Sequence, residues 1–357
     1  MCKQKALIGM SGGVDSSVAA YLTQQSGFSC LGATMQLYTN QGAAPGSSCS
    51  ALENVEDARS VAQRLDMPFY VFDLSGEFQE KVMDNFVQAY ESGLTPNPCI
   101  ECNRHLKFDR FLQEAQKLGC DYIVTGHYAR ITQQNGRYLL QKAVDGAKDQ
   151  TYFLYTLTQH QLAHTRFPLG ELTKTEARVI AEEKGFINAK KRDSQDICFV
   201  PDGDYMDFLC RYTGKTYPTG AYLDLQGNVV GTHKGAVGYT LGQRKGLGIA
   251  MGAPVYVCAK DMEKNTVTVG PNESLFRKSL LADQLNWIAF DNLGSSIRCK
   301  AKARSRMEEQ PATLTPGENG TVLVEFDDPQ RAITPGQAVV FYDGDTVLGG
   351  GRIREVL

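Results

Sequence analysis

Over roughly the first 200 residues, short apolar runs alternate with longer segments of helical spacing. Lys5-Ala6-Leu7-Ile8-Gly9-Met10 predicts a buried strand, residues 16–25 a helix that stops near Gly27, and residues 30–37 a second strand. Residues 52–65 carry helical spacing, and residues 68–74 (PFYVFDL) predict a third strand. Residues 78–90 and 104–118 are helical in pattern, and Asp121-Tyr122-Ile123-Val124 is a further strand. Continuous apolar strands alternating with amphipathic helices predict a parallel sheet wrapped by helices. Such sheets bind ligands beyond the carboxyl ends of their strands.

The pattern changes after about Asp207. Gly, Pro and Thr become frequent, as in Gly214-Lys215-Thr216-Tyr217-Pro218-Thr219-Gly220, and β-like runs follow at 253–258 and 265–269. From about Leu280, short strands at 321–326, 338–342 and 351–356 are split by turns, which predicts a small antiparallel barrel or sandwich. The chain is thus expected to divide into domains at 1–207, 208–279 and 280–357. Residues 42–50 (GAAPGSSCS) are expected to be a mobile loop.

Composition narrows the class. A chain of 357 residues is too long for one ordinary core, and 42% hydrophobic with 22% charged residues is the balance of a soluble globular protein. No apolar run approaches the roughly 20 residues that span a bilayer. Met1-Cys2-Lys3-Gln4-Lys5 leads straight into a strand, without the apolar stretch of a signal peptide. The expected compartment is the cytoplasm, where the ten cysteines stay mostly reduced. Cys30, Cys120, Cys258 and Cys299 lie inside apolar or alternating patterns and read as packing residues. A net charge of −3 advertises no nucleic-acid binder, so any RNA binding must come from local basic patches.

The sharpest motif is Gly9-Met10-Ser11-Gly12-Gly13-Val14-Asp15-Ser16-Ser17, which follows a strand and opens a helix. Glycines let the backbone approach an anion, and N–H groups at a helix start favour negative charge. The three serines add hydroxyl donors, and Asp15 could hold Mg2+ against phosphates. A Walker loop is excluded because no lysine follows Gly12-Gly13, and G-x-G-x-x-G is absent. SGGVDSS resembles the signature of the PP-loop, or N-type, ATP pyrophosphatases. That resemblance implies cleavage of ATP between the α and β phosphates and transfer of AMP to a carbonyl oxygen.

Asn97-Pro98-Cys99-Ile100-Glu101-Cys102-Asn103 precedes a helix expected from Arg104, with Arg104, His105 and Lys107 adding positive charge. A thiolate near a helix start has a lowered pKa and is a better nucleophile. Cys198 lies in the polar stretch Asp193-Ser194-Gln195-Asp196-Ile197-Cys198. Three readings stay open on the residues alone. Cys99 and Cys102 could be half of a zinc site, though no second pair completes it. Cys99, Cys102 and Cys198 could hold a [4Fe-4S] cluster. Or two of the thiols act in catalysis, one carrying a persulfide that replaces an adenylated oxygen.

GMSGGVDSS, NPC-x-x-CN followed by RHLKF, TGHYAR, KDQTYFL, DSQDICFV and GYTLGQRKGLGI together resemble the tRNA-specific 2-thiouridylases (MnmA/TrmU family) over nearly the whole chain. The resemblance implies an adenine nucleotide hydrolase-like parallel-sheet domain, a small central domain that contacts tRNA and a C-terminal antiparallel β-barrel. It implies Cys102 as the nucleophile and Cys198 as the persulfide carrier, able to close as a disulfide during turnover. ATP would meet Gly9, Met10, Ser11, Gly12, Gly13, Val14, Asp15, Ser16, Met35 and Gly126. The target base would meet Asn97, Pro98 and Cys99. Lys148, Asp149, Gln150, Arg304 and Ser305 would touch tRNA. The implied substrates are the tRNAs for Lys, Glu and Gln, with a cysteine desulfurase or sulfur-relay protein as sulfur donor. Many members have Asp where this chain has Cys99, which leaves room for a three-cysteine cluster or an alternative resolving thiol. Outside the family, an amide ligase on the same loop and a non-catalytic iron–sulfur or RNA-binding module remain as alternatives.

Arg298, Lys300, Lys302, Arg304 and Arg306 recur at every second position with small residues between them. On a strand this predicts one face carrying all five charges, suited to a phosphate backbone or simply to a solvated edge. Lys190-Lys191-Arg192 and Gln243-Arg244-Lys245 are further basic patches. His127 follows Gly126 and reads as structural or catalytic alike. Residues 174–184 (KTEARVIAEEK) read as a solvated, charged helix face.

Overall fold

The computed structural model describes residues 3–38, 52–191, 197–200 and 203–357. The loop expected at 42–50, Arg192 and the 193–196 part of the second thiol stretch lie outside the described residues. The amino-terminal sheet is parallel, with spatial order β3-β2-β1-β4-β7. Its strands are β1 (Lys5–Gly9), β2 (Ser29–Gln36), β3 (Phe69–Asp73), β4 (Tyr122–Val124) and β7 (Thr165–Arg166). Ala6, Leu7 and Ile8 of β1 are fully buried, which is what a central strand covered on both faces requires. Helices α1 (Val14–Gln25) and α2 (Leu52–Arg64) cover one face. The chain leaves β1 towards β2 while β4 pairs on β1's other edge, so the switch point of the sheet lies between β1 and β4.

The middle of the chain forms a four-stranded sheet of β8 (Gly220–Leu223), β9 (Val229–His233), β10 (Tyr256–Asp261) and β11 (Thr266–Gly270) around Tyr222, Val257 and Val267. The carboxyl-terminal unit contains β12 (Phe276–Trp287), β13 (Ile297–Lys302), β14 (Gln310–Pro316), β15 (Val322–Arg331), β16 (Ala338–Asp343) and β17 (Thr346–Val356). Every neighbouring pair is antiparallel, and β12 pairs with both β15 and β17, which closes a six-stranded barrel. Closure removes the sheet edges and leaves alternate side chains such as Leu280, Leu314, Val324 and Phe341 to fill the interior. A hairpin of β5 (Arg130–Gln134) and β6 (Arg137–Gln141) leaves the first sheet and joins β17 at Thr346, so amino-terminal residues extend the carboxyl-terminal sheet. Among the described residues, no helix is long and apolar enough to cross a membrane.

Candidate functional site

At the carboxyl end of β1 the chain turns through Gly9–Gly13 into α1. Met10 is tied to β2 through its N–H to Ala33 O (2.7 Å) and its carbonyl, which accepts from Thr34 Oγ1 (2.6 Å). Gly12 adopts φ +72°, and a Cβ there would lie 2.2 Å from Asn54 O, so only glycine fits. Gly13 caps α1 without a side-chain acceptor, which leaves the helix start open to an anion. Ser16 Oγ accepts from Ser11 N (3.1 Å) and donates to Gly13 O (3.0 Å), while Ser17 Oγ also donates to Gly13 O (3.0 Å). Asn188, which no motif pointed to, is buried and donates to Gly12 O (3.0 Å) and Ser17 Oγ (2.9 Å). The loop is therefore held in shape by its own hydroxyls and one distant amide.

Asp15 does not stand alone. Lys174 Nζ lies 2.8 Å from each of its carboxylate oxygens, and Tyr128 Oη donates to it at 2.9 Å. This corrects the solvated reading of residues 174–184 at Lys174, which is buried, while Glu176, Glu182 and Glu183 are exposed as expected. Two local devices aim Lys174 inward. Thr173 and Glu176 form a capping box at the start of the Lys174–Glu183 helix, and Lys174 N donates to Asp145 Oδ2 (2.9 Å). Gly126, just past β4, packs so closely on α1 that a Cβ would sit 2.7 Å from Asp15 C and Ser16 N. Next to it, His127 bonds Thr125 Oγ1 (2.8 Å) and lies against the rings of Phe108 and Phe167. Burial, with Lys107 nearby, holds its pKa well below the ordinary value, so the imidazole is neutral.

The first thiol segment differs from expectation. The helix begins at Pro98, not near Arg104, and continues from Pro98–Cys102 into π-helical turns over Asn103–Arg110. Pro98 at the first helical position with Asn97 as N-cap was the available signal. Cys99 is exposed and Cys102 is buried. Arg104 and His105 approach Glu101 at 3.6 and 3.3 Å, so part of the positive charge expected around the thiols is already paired. Cys102 belongs to an apolar cluster with Leu37, Leu74, Phe78 and Phe199, against which Met35 and Cys198 also pack. Leu37 and Leu74 lie just beyond β2 and β3, the strand ends on the same side as the phosphate loop. Tyr38 donates its hydroxyl to the carbonyl of Cys198, which ties that segment to the end of β2.

Cys30, Cys120, Cys258 and Cys299 behave as packing residues, as expected. Burial raises the thiol pKa of Cys30 to about 11 and of Cys299 to about 12, and raises those of Cys120 and Cys258. Among the described residues, no three His, Cys, Asp or Glu side chains stand together as a metal site. Cys99, Cys102 and Cys198 thus do not assemble the ligand set of an iron–sulfur cluster. Mg2+ needs only one or two protein carboxylates beside substrate phosphates, a demand that Asp15 meets.

The basic stripe is only partly as expected. β13 ends at Lys302, and Arg304 turns inward, where its Nη2 donates to Leu241 O (2.9 Å) and to Thr334 Oγ1. Arg298 is committed to Asp327 through two bonds of 2.7 and 2.6 Å. Lys300, Lys302 and Arg306 line a cavity of about 620 Å³ together with Ser305, Glu308 and Glu309, next to Lys148. Asp149 accepts from Ala143 N (3.1 Å) and Thr151 Oγ1 (2.6 Å), and Gln150 Oε1 accepts from Tyr128 N (2.9 Å). These two side chains shape their own loop. Lys191 bonds Asn54 Oδ1 and Asp57 Oδ2, each at 2.6 Å.

A family described as tRNA methyl transferase HUP domain matches residues 4–202. One described as tRNA methyl transferase PRC-barrel domain matches 206–271, and one described as aminomethyltransferase beta-barrel domain matches 277–353. The chain is 48% identical to a tRNA-specific 2-thiouridylase of Clostridium perfringens, with 100% of each chain covered. It is 48% identical to the 2-thiouridylase of Clostridioides difficile over 99% of each chain. Against that of Symbiobacterium thermophilum it is 50% identical, over 99% of this chain and 93% of the relative.

Proposed function

The chain belongs to the tRNA-specific 2-thiouridylases, and from that premise we propose how its residues make 2-thiouridine at the wobble position of tRNA. The methyl transferase wording of the family descriptions is outweighed by full-length relatives at 48–50% identity that are 2-thiouridylases. ATP binds with its phosphates at the start of α1, cradled by Gly9–Gly13 and Ser16. Lys174 swings from Asp15 to the phosphates and supplies the cation that a Walker loop carries within itself. Asp15, so released, would hold Mg2+, which supplies charge neutralisation on the phosphates.

The target uracil is flipped from its stack to stand beside Asn97, Pro98 and Cys99. Its C2 oxygen attacks the α-phosphorus, and pyrophosphate leaves. The terminal sulfur of a Cys198 persulfide then attacks C2, and AMP departs with the electron pair of the C–O bond. Cys102 thiolate attacks Cys198 Sγ. The S–S bond breaks with its pair on the sulfur bound to C2, releasing 2-thiouridine and leaving a Cys102–Cys198 disulfide. A dithiol reductant restores both thiols. The persulfide is loaded in the cytoplasm by a cysteine desulfurase or a sulfur-relay protein, and the substrates are the tRNAs for Lys, Glu and Gln.

One observation carries the reading. Cys102 and Cys198 border a single apolar cluster at the strand ends that also carry the phosphate loop. In an assay with ATP, tRNA and a sulfur source, Cys102→Ser and Cys198→Ser should each abolish 2-thiouridine. Each should still release AMP or form adenylated tRNA. Full thiolation by either variant defeats the assignment.

A further inference from the structure

The segment that leads into the Pro98–Cys102 helix is gripped from the barrel. Thr95 N donates to Pro335 O (3.0 Å), and Gln337 Nε2 donates to Thr95 O (2.9 Å) and Pro96 O (3.3 Å). Gly336 between them adopts φ +91°, and a Cβ would meet Leu94 Cβ and Thr95 N at 2.9 Å, so the two backbones approach as only glycine allows. The gripping loop is itself fixed to the barrel wall, by Gly336 N to Ile353 O and Ile353 N to Gln337 O, both 2.8 Å.

At its other end the loop begins with Thr334, whose hydroxyl donates to Ala332 O (2.8 Å) and accepts from Arg304. Arg304 is half-buried, and its Nε is buried with no hydrogen-bond partner among the described residues. A guanidinium that bears that cost while bonding Thr334 and Leu241 O acts as an internal tie. Close to it in the chain, Lys302, Ser305 and Arg306 line the cavity that Glu308 and Glu309 also border. A continuous path of bonds therefore runs from the 302–306 turn through Arg304, Thr334 and Gln337 to Thr95 and Pro96, two residues before Pro98 at the start of the Cys102 helix.

We propose that Arg304 and Gln337 are positioning residues for the Cys102 helix, so that the barrel sets the pose of the reacting thiol. This rests on Cys102 being the nucleophile. Gln337→Glu keeps the side chain's shape and loses both donated bonds. With the intact enzyme, kcat for thiolation should fall about tenfold while KM for tRNA stays within about twofold. In tRNA-free protein, alkylation of the buried Cys102 by iodoacetamide, followed by peptide mass, should become several-fold faster as the helix loosens and uncovers it. Thr334→Val removes the acceptor of Arg304 at constant volume and should act in the same direction, which preserves the test if one variant folds poorly. Unchanged kcat and alkylation overturn the proposal. A raised KM with unchanged kcat also overturns it, because that marks a contact with RNA. Should the wild type form no 2-thiouridine, the thiolation reading falls, and the alkylation rates still decide whether the strut holds the helix.

Discussion

Among single residues, Lys174 most changes the picture of the phosphate loop. A lysine absent from the loop's own motif arrives from 159 positions downstream and binds both oxygens of Asp15 at 2.8 Å. Its side chain is only 11% exposed, against 30% for Asp15, so the pair is shielded from water on one side and open on the other. Removing the cation strands a partly buried carboxylate that keeps its bond from Tyr128 Oη. Lys174→Met should lower stability by about 1–3 kcal/mol in chemical denaturation, less than for a fully buried pair because Asp15 reaches solvent. Asp15→Asn combined with Lys174→Met should recover most of that loss, since neither charge is then orphaned. ATP affinity separates structure from function. If Lys174 reaches the phosphates, the double variant should bind ATP at least about tenfold more weakly than Asp15→Asn alone in calorimetric titration, a comparison in which the loss of Asp15 cancels. Equal affinity in those two variants would confine Lys174 to neutralising Asp15.

At the level of elements, the close approach of the β4 loop to the first turn of α1 makes the phosphate site rigid. Gly126→Ala would place a Cβ 2.7 Å from backbone atoms of Asp15 and Ser16, neither of which can yield like a flexible side chain. It should cost about 1–3 kcal/mol in thermal unfolding and weaken ATP binding alongside. Gly76→Ala, in the Ser75–Phe78 helix with nothing within 4 Å of the added carbon, should be neutral or stabilise by up to about 1 kcal/mol. The parallel sheet was legible because β1, β2 and β3 are apolar runs and the SGG turn punctuates the first of them. The helix start at Pro98 was missed because charged Arg104 and Lys107 begin the clearer periodicity, while the first turn carries Cys, Ile and Glu. The β5–β6 hairpin was missed although Asn135-Gly136 marks its turn, because its pairing with β17 joins residues 205 apart and leaves no local trace. Lys174 and Asn188 were invisible for the same reason: a buried ion pair or amide looks like a surface residue until its partner is in place.

Across the whole molecule, the question is how a protein of net charge −3 holds a polyanion. Folding decides which cations stay open to such a partner. Of the five basic residues from 298 to 306, Arg298 is bound to Asp327 and Arg304 is turned inward. Lys142, near the same cavity, is paired with Glu309 at 2.8 Å. Lys300, Lys302 and Arg306 are left lining one cavity of about 620 Å³, beside the loop that carries Lys148. Each phosphate neutralised by such a cation releases condensed counterions, so binding weakens with salt with a slope of roughly 0.7–0.9 per contact. Replacing Lys300, Lys302 and Arg306 together by Ala should flatten the plot of log affinity against log salt by about 2–3 units between roughly 50 and 200 mM salt. Arg298→Ala should leave that slope nearly unchanged, because its charge is already satisfied by Asp327. Filter binding or fluorescence titration with purified tRNA reads both slopes. Equal flattening by the triple variant and by Arg298→Ala would mean that a diffuse basic face binds the RNA. The inward turn of Arg304 predicts instead a compact site of three cations at the barrel's edge.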